Sequence, residues 1–254
     1  MKKELINYEI PKNTDDNVVH NWEPLKRTID SNFKYEHKNV FYRFFSFLLW
    51  WIAMIFLTPF NYILFGVKIE NKKNLKGIKT GAVVVANHVH IMDMTMLLTR
   101  VAFPHKFYIL ADKSSFQIPV VRRLVGPLGA IPIADTLDGK RKCFAYIDKL
   151  LKKNKKIIFF SEGSMWPYYP KLRPFKDGAF KFASKNNVPV IPISVTFRKP
   201  KGIYKLYKKK PLVTITVLEP VYSKEELNEI ENRIHLKNIT FNRIEKSITE
   251  KEIY

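Results

Sequence analysis

A single cysteine, Cys143, in 254 residues excludes an intramolecular disulfide framework and a multi-cysteine metal site. It fits a reducing compartment, and its place in the helical run CFAYIDKLL predicts a buried, inert thiol. Acidic residues are also scarce: 23 Asp and Glu face 44 Lys and Arg, a formal net charge of +21. Such an imbalance calls for an anionic partner, and nucleic acid and phospholipid headgroups are the two obvious classes. No nucleic-acid recognition motif accompanies the charge, so nucleic acid is not expected as a partner. There is no internal repeat, and no low-complexity tract beyond the lysine clusters at 152–156 and 207–210. With 46% hydrophobic and 14% aromatic residues, the chain is expected to fold around a sizeable apolar core.

Residues 1–43 are polar, interrupted by Pro11 and Pro24, and lack the layout of a cleaved signal peptide; they read as an arm. A charge-free run follows from Phe44 to Gly66, with Arg43 before it and Lys68, Lys72 and Lys73 after it. Three readings fit that run: a membrane span, an interfacial helical hairpin broken at Pro59, or a buried soluble helix. Either of the first two makes residues 44–70 a membrane-associated segment and holds the rest of the chain, 71–254, at a lipid surface. Trp50 and Trp51 suit a membrane interface and would suit core packing equally.

Beyond Gly81, short β-branched runs alternate with amphipathic stretches. Strands are expected at 82–86, 107–110, 129–133, 156–160, 190–197 and 213–219. Helical patterns such as MDMTMLLTRVA, CFAYIDKLLKK and FKDGAFKFASK lie between them, and one or two closing helices are expected over 223–250. The fold class is α/β, a largely parallel central sheet flanked by helices.

Chemistry concentrates in ANHVHIMDM, residues 86–94, where a strand ends and a helix begins. Open α/β sheets place their ligands at such strand ends. His88 and Asp93 are five residues apart, which would set them about 140° apart on a regular helix. Only a turn into a helix start brings them together. In such a turn the carboxylate orients the imidazole, whose other nitrogen takes a proton from an attacking hydroxyl. The plain structural reading is that Asn87 caps the helix, Asp93 sits in its first turn and His88 is a surface residue. His90, three residues before Asp93, competes for the same role. A second cluster, FFSEGSMWP at 159–167, follows another apolar strand and offers a carboxylate and backbone N–H groups. Alone it reads as a common turn.

Asn87, His88 and Asp93 form an Asn-His-x-x-x-x-Asp run that resembles the first motif of PlsC-type glycerolipid acyltransferases, the 1-acyl-glycerol-3-phosphate acyltransferases. DKSSFQIPVVRRLVGPLGAIPI, FFSEGS with LRPFKDGAF, and VPVIPISV resemble the stretches through the second, third and fourth motifs, in the same order over about residues 80–220. The resemblance implies His88 as general base and Asp93 as its orienting partner. It implies substrate binding through Asn87, Lys113, Glu162, Gly163, Ser164 and Arg173. Membrane lipids and acyl-CoA or acyl-carrier protein are the implied partners, no metal or bound cofactor is expected, and the catalytic domain is expected on the cytoplasmic side of a membrane. Three departures stand out: Ser161 replaces a usual proline, Met165 a frequent arginine, and Ala134-Asp135 follows GAIPI where an arginine is typical. Lys171, Arg173 and Lys176 are candidate replacement charges. Transfer to another lysolipid, or an inactive membrane scaffold, are the alternatives.

Overall fold

The computed structural model describes residues 28–251 together with 6, 8–16 and 18; Pro24, expected to interrupt a helix in the arm, lies outside the described residues. The run AVVVA forms strand β2 (Ala82–Ala86) and every residue in it is buried, which explains its unbroken apolar sequence. β5 (Lys156–Phe160) pairs with β2 in parallel, Ala82 opposite Lys156, and β6 (Val190–Arg198) pairs in parallel on the other side, Val83 opposite Val190. Adding β1 (Lys68–Glu70), β3 (Tyr108–Ala111), β4 (Ala130–Pro132) and β7 (Leu212–Val217) completes a seven-stranded sheet of order β1-β7-β6-β2-β5-β3-β4. All pairings are parallel except β6 with β7. The expected strands are present, while Lys68–Glu70, placed from sequence in the membrane segment, is instead an edge strand.

Strand periodicity sorts the core into two layers. Ala82, Val84 and Ala86 face a cluster with Trp50, Met54, Met96 and Leu97. Val83 and Val85 face the opposite cluster with Cys143, Ile147, Phe180, Leu236 and Ile244. The first layer carries helices α1 (Val40–Phe65) and α2 (Asp93–Leu97); α3 (Val121–Leu128) packs against α1. The second carries α4 (Leu137–Lys152), α5 (Gly178–Lys185) and α7 (Glu229–Glu250), with short α6 (Tyr204–Tyr207) between β6 and β7. The C-terminal region is one helix, opened by a capping box of Asn228 and Glu231. Cys143 is buried as expected, and burial pushes its thiol up to about 11.

α1 is a single helix of 26 residues that runs through Pro59 without a hairpin break. Asn39 caps it by accepting from the N–H of Phe41 and Tyr42. Only one stripe is buried, Ser46, Trp50, Met54 and Asn61. Ser46 donates to the Pro127 carbonyl at 2.6 Å, Trp50 stacks on Phe103, and Asn61 donates to Thr99 Oγ1 at 3.0 Å. Trp50 packs in the core, as one of the two readings of the pair expected, and Trp51 lies exposed. Phe41, Phe44, Ile55 and Phe56 also face outward. Among the described residues this is the one helix long and apolar enough to cross a membrane.

Candidate active site

β2 ends at Ala86 and the chain turns before α2 begins at Asp93, on the carboxyl edge of the parallel strands. The buried Asp93 carboxylate organises that turn. Its Oδ2 accepts the backbone N–H groups of Val89 and His90, each at 2.8 Å, and lies 3.1 Å from Nδ1 of His88. A carboxylate at Nδ1 favours the tautomer protonated there and leaves the Nε2 lone pair available. The ring lies flat on Phe160, centroids 4.0 Å apart, and its side chain is 22% exposed, enough to meet a substrate.

His90 gives Asp93 only its backbone N–H. Its own Nδ1 accepts from Met92 N–H at 3.0 Å, and its ring is enclosed between Phe65 and Tyr168, where burial pushes its pKa down. Of the two histidines weighed from sequence, His88 is the one whose ring faces the carboxylate.

The second cluster braces the first through the main chain. Glu162 accepts the backbone N–H of His88 at 2.8 Å, and the His88 and Val89 carbonyls accept from Trp166 and Tyr168 N–H. Glu162 also accepts from the backbone N–H of Arg173 at 2.9 Å and from its guanidinium at 3.0 Å. Both side chains are almost wholly buried, and burial pushes the Glu162 carboxyl up against the opposing pull of Arg173. Arg173 reaches Ser164 Oγ at 2.5 Å and the Ser164 carbonyl, and its guanidinium lies 4.5 Å from the Trp166 ring. Gly163 has φ +84°, a conformation that favours glycine, and the side chain crowding the position is the flexible end of Lys176, which can swing aside.

The N-terminal arm completes this network. The Thr14 carbonyl accepts from Ser164 Oγ at 2.9 Å and from Arg173 at 3.1 Å, and the Asp16 carbonyl accepts from the Trp166 indole at 2.9 Å. Asp15 pairs with Lys176 at 3.0 Å, and the Tyr8 hydroxyl donates to the Pro167 carbonyl at 3.0 Å. The sequence carried no signal for this docking, because most of the acceptors are backbone carbonyls.

Several residues expected to bind substrate are engaged otherwise. Asn87 is buried and spends its amide on the backbone of β6, donating to Val195 O at 2.9 Å and accepting from Val195 N–H at 2.7 Å. It acts as a strand extension, with its amide engaged by the main chain of β6. Glu162, Ser164 and Arg173 are likewise turned inward, as a brace behind the turn. Lys113 pairs with Asp135 at 2.8 Å. Asp135, at the position where an arginine was expected, also accepts Ile29 N–H at 2.9 Å and so fastens the arm to the sheet edge.

The Acyltransferase family model matches residues 66–196, just over half of the chain, and the chain belongs to that family. Among relatives, the chloroplastic 1-acyl-sn-glycerol-3-phosphate acyltransferase of Brassica napus is 31% identical over 146 residues, 57% of this chain and 41% of that protein. The chain thus spans about two fifths of that relative's length. The 1-acyl-sn-glycerol-3-phosphate acyltransferase of Escherichia coli is 29% identical, over 74% of this chain and 79% of its own. The crystal structure of the 1-acyl-sn-glycerophosphate acyltransferase PlsC from Thermotoga maritima shares the fold, with a TM-score of 0.59 and 23% identity over 84% of this chain and 88% of that one.

Proposed function

We propose that the protein transfers an acyl group from a thioester donor, acyl-CoA or acyl-carrier protein, to the free hydroxyl of 1-acylglycerol 3-phosphate, giving phosphatidic acid. The observation that carries this reading is the 3.1 Å contact between His88 Nδ1 and Asp93 Oδ2, which orients an imidazole with Nε2 left for chemistry. Nε2 takes the proton of the acceptor hydroxyl as its oxygen attacks the thioester carbon. When the tetrahedral intermediate collapses, the C–S bond breaks and the imidazolium returns its proton to the departing thiolate. The buried Asp93 stabilises that imidazolium. The scheme needs neither a metal nor a bound cofactor. The names of the Brassica and Escherichia relatives support lysophosphatidic acid as acceptor.

A membrane supplies both lipid substrates, and α1 supports that location. Its docked stripe runs from Ser46 to Asn61, about 22 Å along the domain. A helix held along its side in this way fits one lying in the plane of a bilayer surface better than one projecting across it. The free Cys143 fits a catalytic domain on the cytoplasmic side.

A second reading keeps the chemistry and changes the acceptor. Asp135 beside Lys113 places a carboxylate where the resemblance calls for a cation, which favours a lysolipid with less negative charge. Acyl transfer by the reconstituted protein to a panel of lysophosphatidic acid, lysophosphatidylcholine and monoacylglycerol distinguishes them. Turnover confined to lysophosphatidic acid is the expected result; turnover of the others moves the assignment, and none at all removes the enzymatic reading.

A further inference from the structure

Between β6 and β7 the chain leaves the sheet through residues 198–210, Arg-Lys-Pro-Lys-Gly-Ile-Tyr-Lys-Leu-Tyr-Lys-Lys-Lys. Six lysines stand in this segment without one Asp or Glu. Between them Ile203 is 67% and Leu206 84% exposed. A loop built only for solubility has no use for two bare aliphatic side chains one helical turn apart.

The other side of the segment is tied to the end of α1. Tyr204 donates its hydroxyl to the Tyr62 carbonyl and Tyr207 to the Ile63 carbonyl, each at 2.8 Å, and Arg198 donates to the Gly66 carbonyl. Tyr62 and Ile63 lie in the last turn of α1; the Tyr62 carbonyl also accepts the Gly66 N–H, and the Tyr204 hydroxyl is its second donor. The segment is thus fixed to the bare apolar helix. Lys208 Nζ lies 5.6 Å from the Phe65 ring and Lys210 Nζ 5.5 Å from the Tyr168 ring. Phe65 and Tyr168 are the two rings that enclose His90, beside the His88 turn.

We propose that residues 199–210 form a second membrane contact, seated on an anionic phospholipid bilayer. Ile203 and Leu206 enter the boundary of the acyl chains, while Lys201, Lys205 and Lys209 meet lipid phosphates. The inference rests on the membrane reading of α1 and adds an orientation to it: with the helix end and this segment both on lipid, the side of the domain bearing His90 and the His88 turn faces the surface that holds the acceptor. An acidic carrier protein would match the lysines equally, but the continuity with α1 and the bare Ile203 and Leu206 favour a bilayer.

Two variants of the full chain test this, Ile203→Ser with Leu206→Ser, and Lys201→Glu with Lys205→Glu and Lys209→Glu. All five positions are exposed, and thermal melting checks that both variants fold. Co-sedimentation is measured with vesicles of phosphatidylcholine alone and of phosphatidylcholine mixed with phosphatidylglycerol. The wild type should prefer the anionic vesicles and lose that preference in high salt. The serine pair should weaken binding to both roughly ten-fold. The glutamate triple should abolish the anionic preference. Variants that bind like the wild type overturn the proposal and leave α1 as the membrane contact, whereas a wild type that binds neither vesicle overturns both readings. Unchanged vesicle binding with lost acyl transfer from acyl-carrier protein overturns it in favour of the acidic carrier.

Discussion

The Glu162 carboxylate accepts the backbone N–H of His88 at 2.8 Å, across 74 residues of sequence, so the third motif holds the proposed base by its main chain and leaves its ring alone. The same carboxylate is paired with Arg173, which ties the turn carrying His88 to the segment carrying Thr14. Placement of the imidazole is thus a property of the whole network.

Glu162→Gln leaves the Arg173 guanidinium buried beside a neutral partner. The expected cost is about 3 kcal/mol in urea unfolding. Adding Arg173→Met in the same chain should recover part of it, because the stranded charge is gone. A Glu162→Gln protein as stable as the wild type would show the pair to be dispensable.

His88→Ala should lower kcat roughly a thousand-fold while the melting temperature and vesicle binding stay unchanged. The ring makes one side-chain hydrogen bond and one stacking contact, and Asp93 Oδ2 keeps the backbone N–H groups of Val89 and His90 when the imidazole is gone. Retained turnover would transfer the chemistry elsewhere.

Asn87→Ala should act on stability. It leaves the buried N–H and carbonyl of Val195 without their side-chain partner, at a cost of about 2 kcal/mol, with the acceptor KM unchanged. A raised KM at constant stability would return Asn87 to the substrate.

Lys106 gives a pH prediction. It donates to Ser46 Oγ at 2.8 Å where α1 meets α3, and burial holds it down to about 8 from an ordinary 10.5. Between those values the unfolded chain binds a proton that the folded chain does not, so this residue makes stability rise with pH across that window. Below pH 8 both states are charged and the buried ammonium carries its full cost. Urea midpoints of the wild type should therefore climb more steeply from pH 8 to 10 than those of Lys106→Met.

Most of the sheet was legible in the sequence because β2 and β5 are buried on both faces and so read as unbroken apolar runs. β1 was not, since Lys68 and Glu70 alternate with a single Ile69 directly after the apolar helix. The eight residues of α3 were missed as a helix because Gly126 and Pro127 interrupt the pattern. The His88 and Asp93 pairing was legible as a requirement for a turn, and the structure contains that turn. What motif residues do around it was less legible. Whether an Asn87 or a Glu162 points outward or inward depends on strands and loops distant in sequence, and the arm reaches the site through carbonyl groups that every residue type possesses.

β1 can pair only with β7, and Glu70 meets Thr216 across 146 residues of chain. At ribosomal speed the apolar α1 is complete on the order of ten seconds before the strand that closes the sheet beside it. During synthesis the nascent chain therefore presents a greasy helix long before it has a finished domain to shield it. On the proposed membrane reading, capture of α1 by lipid precedes closure of the sheet, and the bilayer becomes the bench on which the domain is assembled.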